Sequence, residues 1–114
     1  MKPTTAAIMR HFGLTPCYCG YDALLYAVMR AAEDRTRLRN AALDIYAPVA
    51  MLLGTKPANI ETNIRTMVQR AWQVDKEFLS EIAGYHLDGP PSATQFIEIL
   101  ANYVREKIFE QEKN

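Results

Sequence analysis

The sequence predicts an all-α domain of six helices with a helix-turn-helix at its centre, in helices three and four. Three observations lead there. Apolar residues recur three and four apart along most of the chain. No stretch alternates apolar and polar as a half-buried strand would. Glycines and prolines cut the pattern into pieces of helical length. The 114 residues suit one domain, expected to span 1–114, and a hydrophobic content of 49% supplies a single core.

The first helix is expected over Thr4 to Phe12. Thr4 or Thr5 would cap it, Ile8 and Phe12 share a face, and Gly13 ends it. A turn-rich stretch, Leu14 to Gly20, follows. The second helix runs from Tyr21 to about Ala32, with Tyr21, Leu24, Leu25 and Val28 at helical spacing. Arg35 to Arg39 reads as a short basic connector. The third helix is brief, with Pro48 in its first turn and Gly54 after Leu53. Pro57 keeps Lys56 out of the α region, so a boundary falls there. The fourth helix then extends to about Gln73 on a stripe of Ile60, Ile64, Met67, Val68, Ala71 and Trp72. Asp75 caps a fifth helix that reaches Ala83 before Gly84, with Val74 and Leu79 at hydrophobic-staple spacing. After Asp88-Gly89-Pro90-Pro91, Ser92 and Gln95 have capping-box spacing. The last helix carries Ile97, Leu100, Val104 and Ile108, and Glu110 to Asn114 is expected to fray.

The middle of the chain, about 46–73, has the parts of a helix-turn-helix: a short helix, a tight turn and a longer helix. Val49 and Ala50 face inward, and the small Ala50 lets the second helix approach. Gly54 provides a turn residue free to take positive φ. With Ile60 and Ile64 inward, Asn59, Thr62, Asn63, Arg65, Thr66 and Gln69 fall outside. Such hydrogen-bonding side chains suit a helix that enters a major groove, and they equally suit a solvated face.

Composition narrows the function classes. Thirteen basic and thirteen acidic side chains give a formal net charge of +0, so bulk electrostatics does not point to nucleic acid. No apolar run approaches the ~20 residues of a membrane span, and the N-terminus is not a signal peptide. Cys17 and Cys19 are the two cysteines. Reduced thiols in or near the core and a cytoplasmic location follow. Cys17, Cys19, His11 and His86 fit no common zinc spacing, so no metal or cofactor is expected. Trp72 ends an apolar stripe and reads as core rather than as a base-stacking platform. Glu33, Asp34, Asp44 and Asp75 stand where caps and solvated charges are normal. Without a phosphate loop or a nucleophile–base pair, no catalytic residue is expected.

Several segments resemble the C-terminal DNA-binding effector domain of the stage-zero sporulation response regulator, the master sporulation transcription factor. Gly20–Ala27 resembles the glycine-tyrosine opening of that family's second helix. Ile45-Tyr46 with Val49-Ala50 resembles the entry to its third, and Thr55–Trp72 its recognition helix. Pro91–Ile97 resembles the start of its last helix. The resemblance implies a six-helix fold and head-to-tail binding of two copies on tandem DNA sites. The implied partners are double-stranded DNA, a second copy or a full-length regulator, and RNA polymerase. The family's receiver domain has no counterpart in these residues, so control by phosphorylation is not expected in its usual form.

Residue by residue, Glu61 and Arg65 match the family's acidic residue and one of its arginines. Asn59 and Thr62 stand where it has arginines, and Thr66 where it has histidine. Ala58 replaces a capping serine, Met51 and Leu52 replace two lysines, and Pro48 falls one residue later. The DNA-binding set is thus Lys56, Asn59, Glu61, Thr62, Arg65 and Thr66. Arg35, Arg37, Arg39 and Arg70 are further sources of phosphate attraction. The other reading is a diverged protein-interaction module of the same fold, with Met51 and Leu52 exposed as a patch and DNA binding weakened or lost.

Overall fold

In the computed structural model, which describes residues 1–113, the regular structure is entirely helical among those residues. The helices are α1 (Lys2–His11), α2 (Tyr21–Glu33), α3 (Ala47–Leu53), α4 (Pro57–Ala83) and α5 (Ala93–Lys113). A 3₁₀ helix (Arg35–Asn40) and a π turn (Ala42–Tyr46) link α2 to α3. No strand occurs among the described residues. Asp75 has non-helical backbone angles and divides α4 in two. With that break the six expected helices are all present.

The caps explain the boundaries. Asp75 accepts from the Phe78 amide at 3.0 Å, and Ser92 accepts from the Gln95 amide at 3.1 Å. Each satisfies an orphan donor of a first turn. Gly54 takes φ 69°. The Thr55 amide reaches the Ala50 carbonyl at 2.9 Å and the Gly54 amide reaches Met51 at 3.4 Å, the Schellman closure of α3. Lys56 is extended ahead of Pro57, as the proline demands.

Four details depart from expectation. α1 begins at Lys2 with Pro3 in its first turn, so Thr5 is not a cap; it is buried, and its hydroxyl donates to the Met1 carbonyl at 3.0 Å. The basic connector is a 3₁₀ helix capped by Asp34, which accepts from the Thr36 amide and hydroxyl. The π turn before α3 had no local signal. The expected fraying of the tail is not found through Lys113, which is helical; Asn114 lies outside the described residues.

The core gathers Phe12, Leu24, Ile45, Ile60, Ile64 and Phe96 with their neighbours. Both α2 and α4 pack against α5, and α3 packs across α2 and α4. Gly20 lets α2 start directly against α4. A Cβ there would lie 2.7 Å from the Asn63 carbonyl oxygen, well inside van der Waals contact. Asn63 is accordingly half-buried, not outside. Trp72 is half-buried at the edge of the core.

Candidate nucleic-acid interface

The first half of α4 has two faces. Ile60, Ile64, Met67, Val68 and Ala71 are buried. Asn59, Thr62, Arg65, Thr66 and Gln69 are exposed, with Glu61 half-buried beside them. The spacing of three and four explains the split, since residues so placed share one side of a helix. All six expected site residues, Lys56 included, therefore lie along one helix and its entry. Ala58 falls in the first turn beyond Lys56, past the capping position.

Several of these side chains already have partners. Arg65 forms an ion pair with Glu61 one turn earlier. Asn59 donates to the Thr55 hydroxyl at 2.9 Å, which braces the entry to α4. The Thr66 hydroxyl donates to the Thr62 carbonyl at 3.3 Å. Glu61 thus cancels the one positive charge in the middle of the face and leaves Lys56 at its N-terminal end.

A shallow groove of about 450 Å³ runs beside this face, between α4 and the start of α5. Glu61, Thr62, Arg65, Thr66 and Gln69 form one wall, and Pro91 to Thr94 the other. Tyr46 and Thr94 share a hydroxyl–hydroxyl hydrogen bond of 2.8 Å, which ties the entry of α3 to the start of α5. Burial holds the Tyr46 phenol above its ordinary pKa, and the bond to Thr94 opposes that rise. Tyr46 and Thr94 were missed as framing residues because they lie 48 positions apart. The capping signal at Ser92 marked a helix start and said nothing of what that start faces.

Arg35 and Arg37 are engaged away from this face. Arg37 donates to the Arg30 carbonyl at 2.9 Å and pairs with Glu33 at 3.4 Å. Arg35 donates to Asn102 at 3.5 Å. The 3₁₀ helix that carries them packs on α2, the π turn and α5, and not on α4. Arg70 reaches over Gly13, in the loop after α1.

Cys17 and Cys19 are exposed rather than in or near the core. Two consecutive turns hold their loop at the surface, closed by Tyr18 to Thr15 and Tyr21 to Tyr18 at 3.0 and 3.1 Å; the intervening Tyr18 takes the inward place. The four acidic residues considered as catalytic are caps or exposed. Asp34 is held below the usual carboxylate range by the Thr36 hydroxyl and amide. Asp75 is held below it by the Phe78 amide and then by His11, whose Nε2 lies 3.0 Å from the carboxylate. No helix among the described residues is long and apolar enough to cross a membrane.

Residues 5–104 match the protein-family model described as "Sporulation initiation factor Spo0A C terminal". The match takes in the whole helix-turn-helix and most of α1 and α5. Domains of that family are DNA-binding effector domains of a sporulation transcription regulator, not enzymes.

Proposed function

The chain belongs to the Spo0A C-terminal family, and from that premise we propose that it binds duplex DNA through the first half of α4, laid in the major groove. The observation that carries this reading is the two-faced α4. Its buried isoleucines fix the helix in the core, and Asn59, Thr62, Arg65, Thr66 and Gln69 stand clear on the opposite side. Hydrogen-bonding side chains on an outward helix face are what base-edge readout requires.

Glu61 and Arg65 act as a unit in this reading. Arg65 turns from Glu61 to a guanine edge or a phosphate, and Glu61 accepts from a cytosine amino group. Breaking an exposed ion pair costs little, since such pairs contribute ~0–1 kcal/mol. Asn59 and Thr62 offer hydrogen bonds where arginines would offer charge. Lys56 supplies phosphate attraction at the entry. With so few cations on the face, affinity depends weakly on salt, because the slope counts neutralised phosphates. Two copies on tandem sites, contact with RNA polymerase and a cytoplasmic location complete the proposal.

The test is fluorescence anisotropy of labelled genomic fragments across a salt series. Binding at low salt that Arg65→Ala weakens supports the reading. No binding to any duplex at low salt rules it out.

A further inference from the structure

The segment from the π turn through α3 is amphipathic in an unusual sense. Ile45, Tyr46, Val49 and Ala50 face the core and are buried. Leu43, Ala47 and Met51, spaced four apart, form one outward row, and Asp44, Pro48 and Leu52 form the row beside it. All six are exposed or half-exposed, and five of the six are apolar. Met51 is 85% exposed, Leu43 67% and Leu52 64%. Among the described residues, half of the exposed large hydrophobic ones lie between positions 43 and 53. An apolar outer row on a helix is left uncovered at a cost in solubility, and it marks a contact surface.

We propose that this face docks against the same face of a second copy of the chain, in a two-fold antiparallel pairing. Charge placement selects that occupant. Asp44 lies at the N-terminal end of the strip and Lys56 just past its C-terminal end, both exposed. Neither forms an ion pair among the described residues. Arg30 donates to the Asp44 carbonyl at 3.0 Å and fixes that end in place. Antiparallel pairing of two strips sets each Asp44 beside the Lys56 of the other copy, with the apolar rows facing between them. This is the self-complementarity that a two-fold interface requires.

Area sets the strength. The strip offers on the order of 400–500 Å² of apolar surface. Two copies then bury roughly 1,000 Å², the low end for a specific interface. An interface of that size belongs with weak, transient contacts, so the dimer is concentration-dependent. It differs in symmetry from a head-to-tail arrangement on tandem sites, and it needs no DNA.

Sedimentation equilibrium without DNA, from about 5 µM to about 1 mM, tests it. The expected weight-average mass climbs from 12.9 kDa toward twice that value. The double variant Met51→Lys/Leu52→Lys is expected to stay monomeric with unchanged helical circular dichroism. Asp44→Lys and Lys56→Asp should each weaken association several-fold, and the two together should restore it. A wild-type monomer throughout overturns the proposal. So does equal association of the Met51→Lys/Leu52→Lys variant, or no restoration by the double charge swap. Association only with a different protein, supplied from lysate, overturns the second copy as occupant. Failure here leaves duplex binding by α4 untouched, since the two are read in separate experiments.

Discussion

The two helices of the helix-turn-helix have like inner faces and unlike outer ones. Inward, α3 presents Val49 and Ala50, and α4 presents Ile60, Ile64 and Met67, all buried. Outward, α4 shows amide, hydroxyl and charged groups, whereas α3 shows Met51 and Leu52 largely to solvent. The inner pattern settles the fold, because close packing tolerates only apolar side chains of the right volume. The outer pattern leaves stability almost untouched and decides what the surface meets. Two helices joined by a single glycine turn can therefore serve different partners.

The largest effect should come from breaking the inner face. Ile64→Ala removes a fully buried side chain and should cost about 2–5 kcal/mol, read as a lower urea midpoint with loss of any DNA binding. Gly20→Ala strikes the same packing from the other side. Its Cβ would meet the Asn63 carbonyl, so α2 and α4 must separate, at about 1–3 kcal/mol. A midpoint unchanged from wild type would mean that the α2–α4 contact yields more easily than its distance implies.

The outer face of α4 should behave in the opposite way. Arg65→Ala should leave the urea midpoint within about 0.5 kcal/mol of wild type and weaken duplex binding by about 1–3 kcal/mol. Glu61→Gln releases Arg65 from its ion pair and should raise affinity while steepening the salt dependence.

Acid should act at the break within α4 at Asp75. The Asp75 carboxyl is held below its ordinary value by the Phe78 amide and then by His11. A depressed folded pKa means that the stabilisation is present above the ordinary carboxylate pKa of about 3.9. It is lost as pH falls through the lower folded value. Asp75→Ala should therefore lower the urea midpoint at neutral pH and converge with wild type in strong acid. A constant gap at all pH values would assign the loss to packing instead of to the charged cap. The smallest effect on stability belongs to Met51→Lys/Leu52→Lys, which should shift it by no more than about 0.5 kcal/mol.

Much of the scaffold was legible in the residues. Gly54, Asp75, Gly84 and Ser92 mark helix ends through chemistry that acts over three or four positions, and each end lies where its signal stands. Thr5 misled because a threonine near a helix start also fits inside the first turns, with its hydroxyl on a preceding carbonyl. The π turn at Ala42–Tyr46 escaped notice because no residue type prescribes it. The outward set on α4 followed from helical spacing except at Asn63, which the approach of α2 at Gly20 half-buries. The groove beside it did not, since Thr94 and Tyr46 meet only when α5 closes on the helix-turn-helix.

By itself the sequence determined the class, most of the helix ends and, Asn63 apart, which side of α4 turns inward, because propensity, capping and periodicity act within one or two turns. Only the tertiary structure decided that Gly20 must admit the Asn63 carbonyl, that Glu61 holds Arg65, and that Met51 and Leu52 stay uncovered. Those facts depend on which surfaces meet across the chain or on which rotamer a side chain adopts, and no local pattern encodes either.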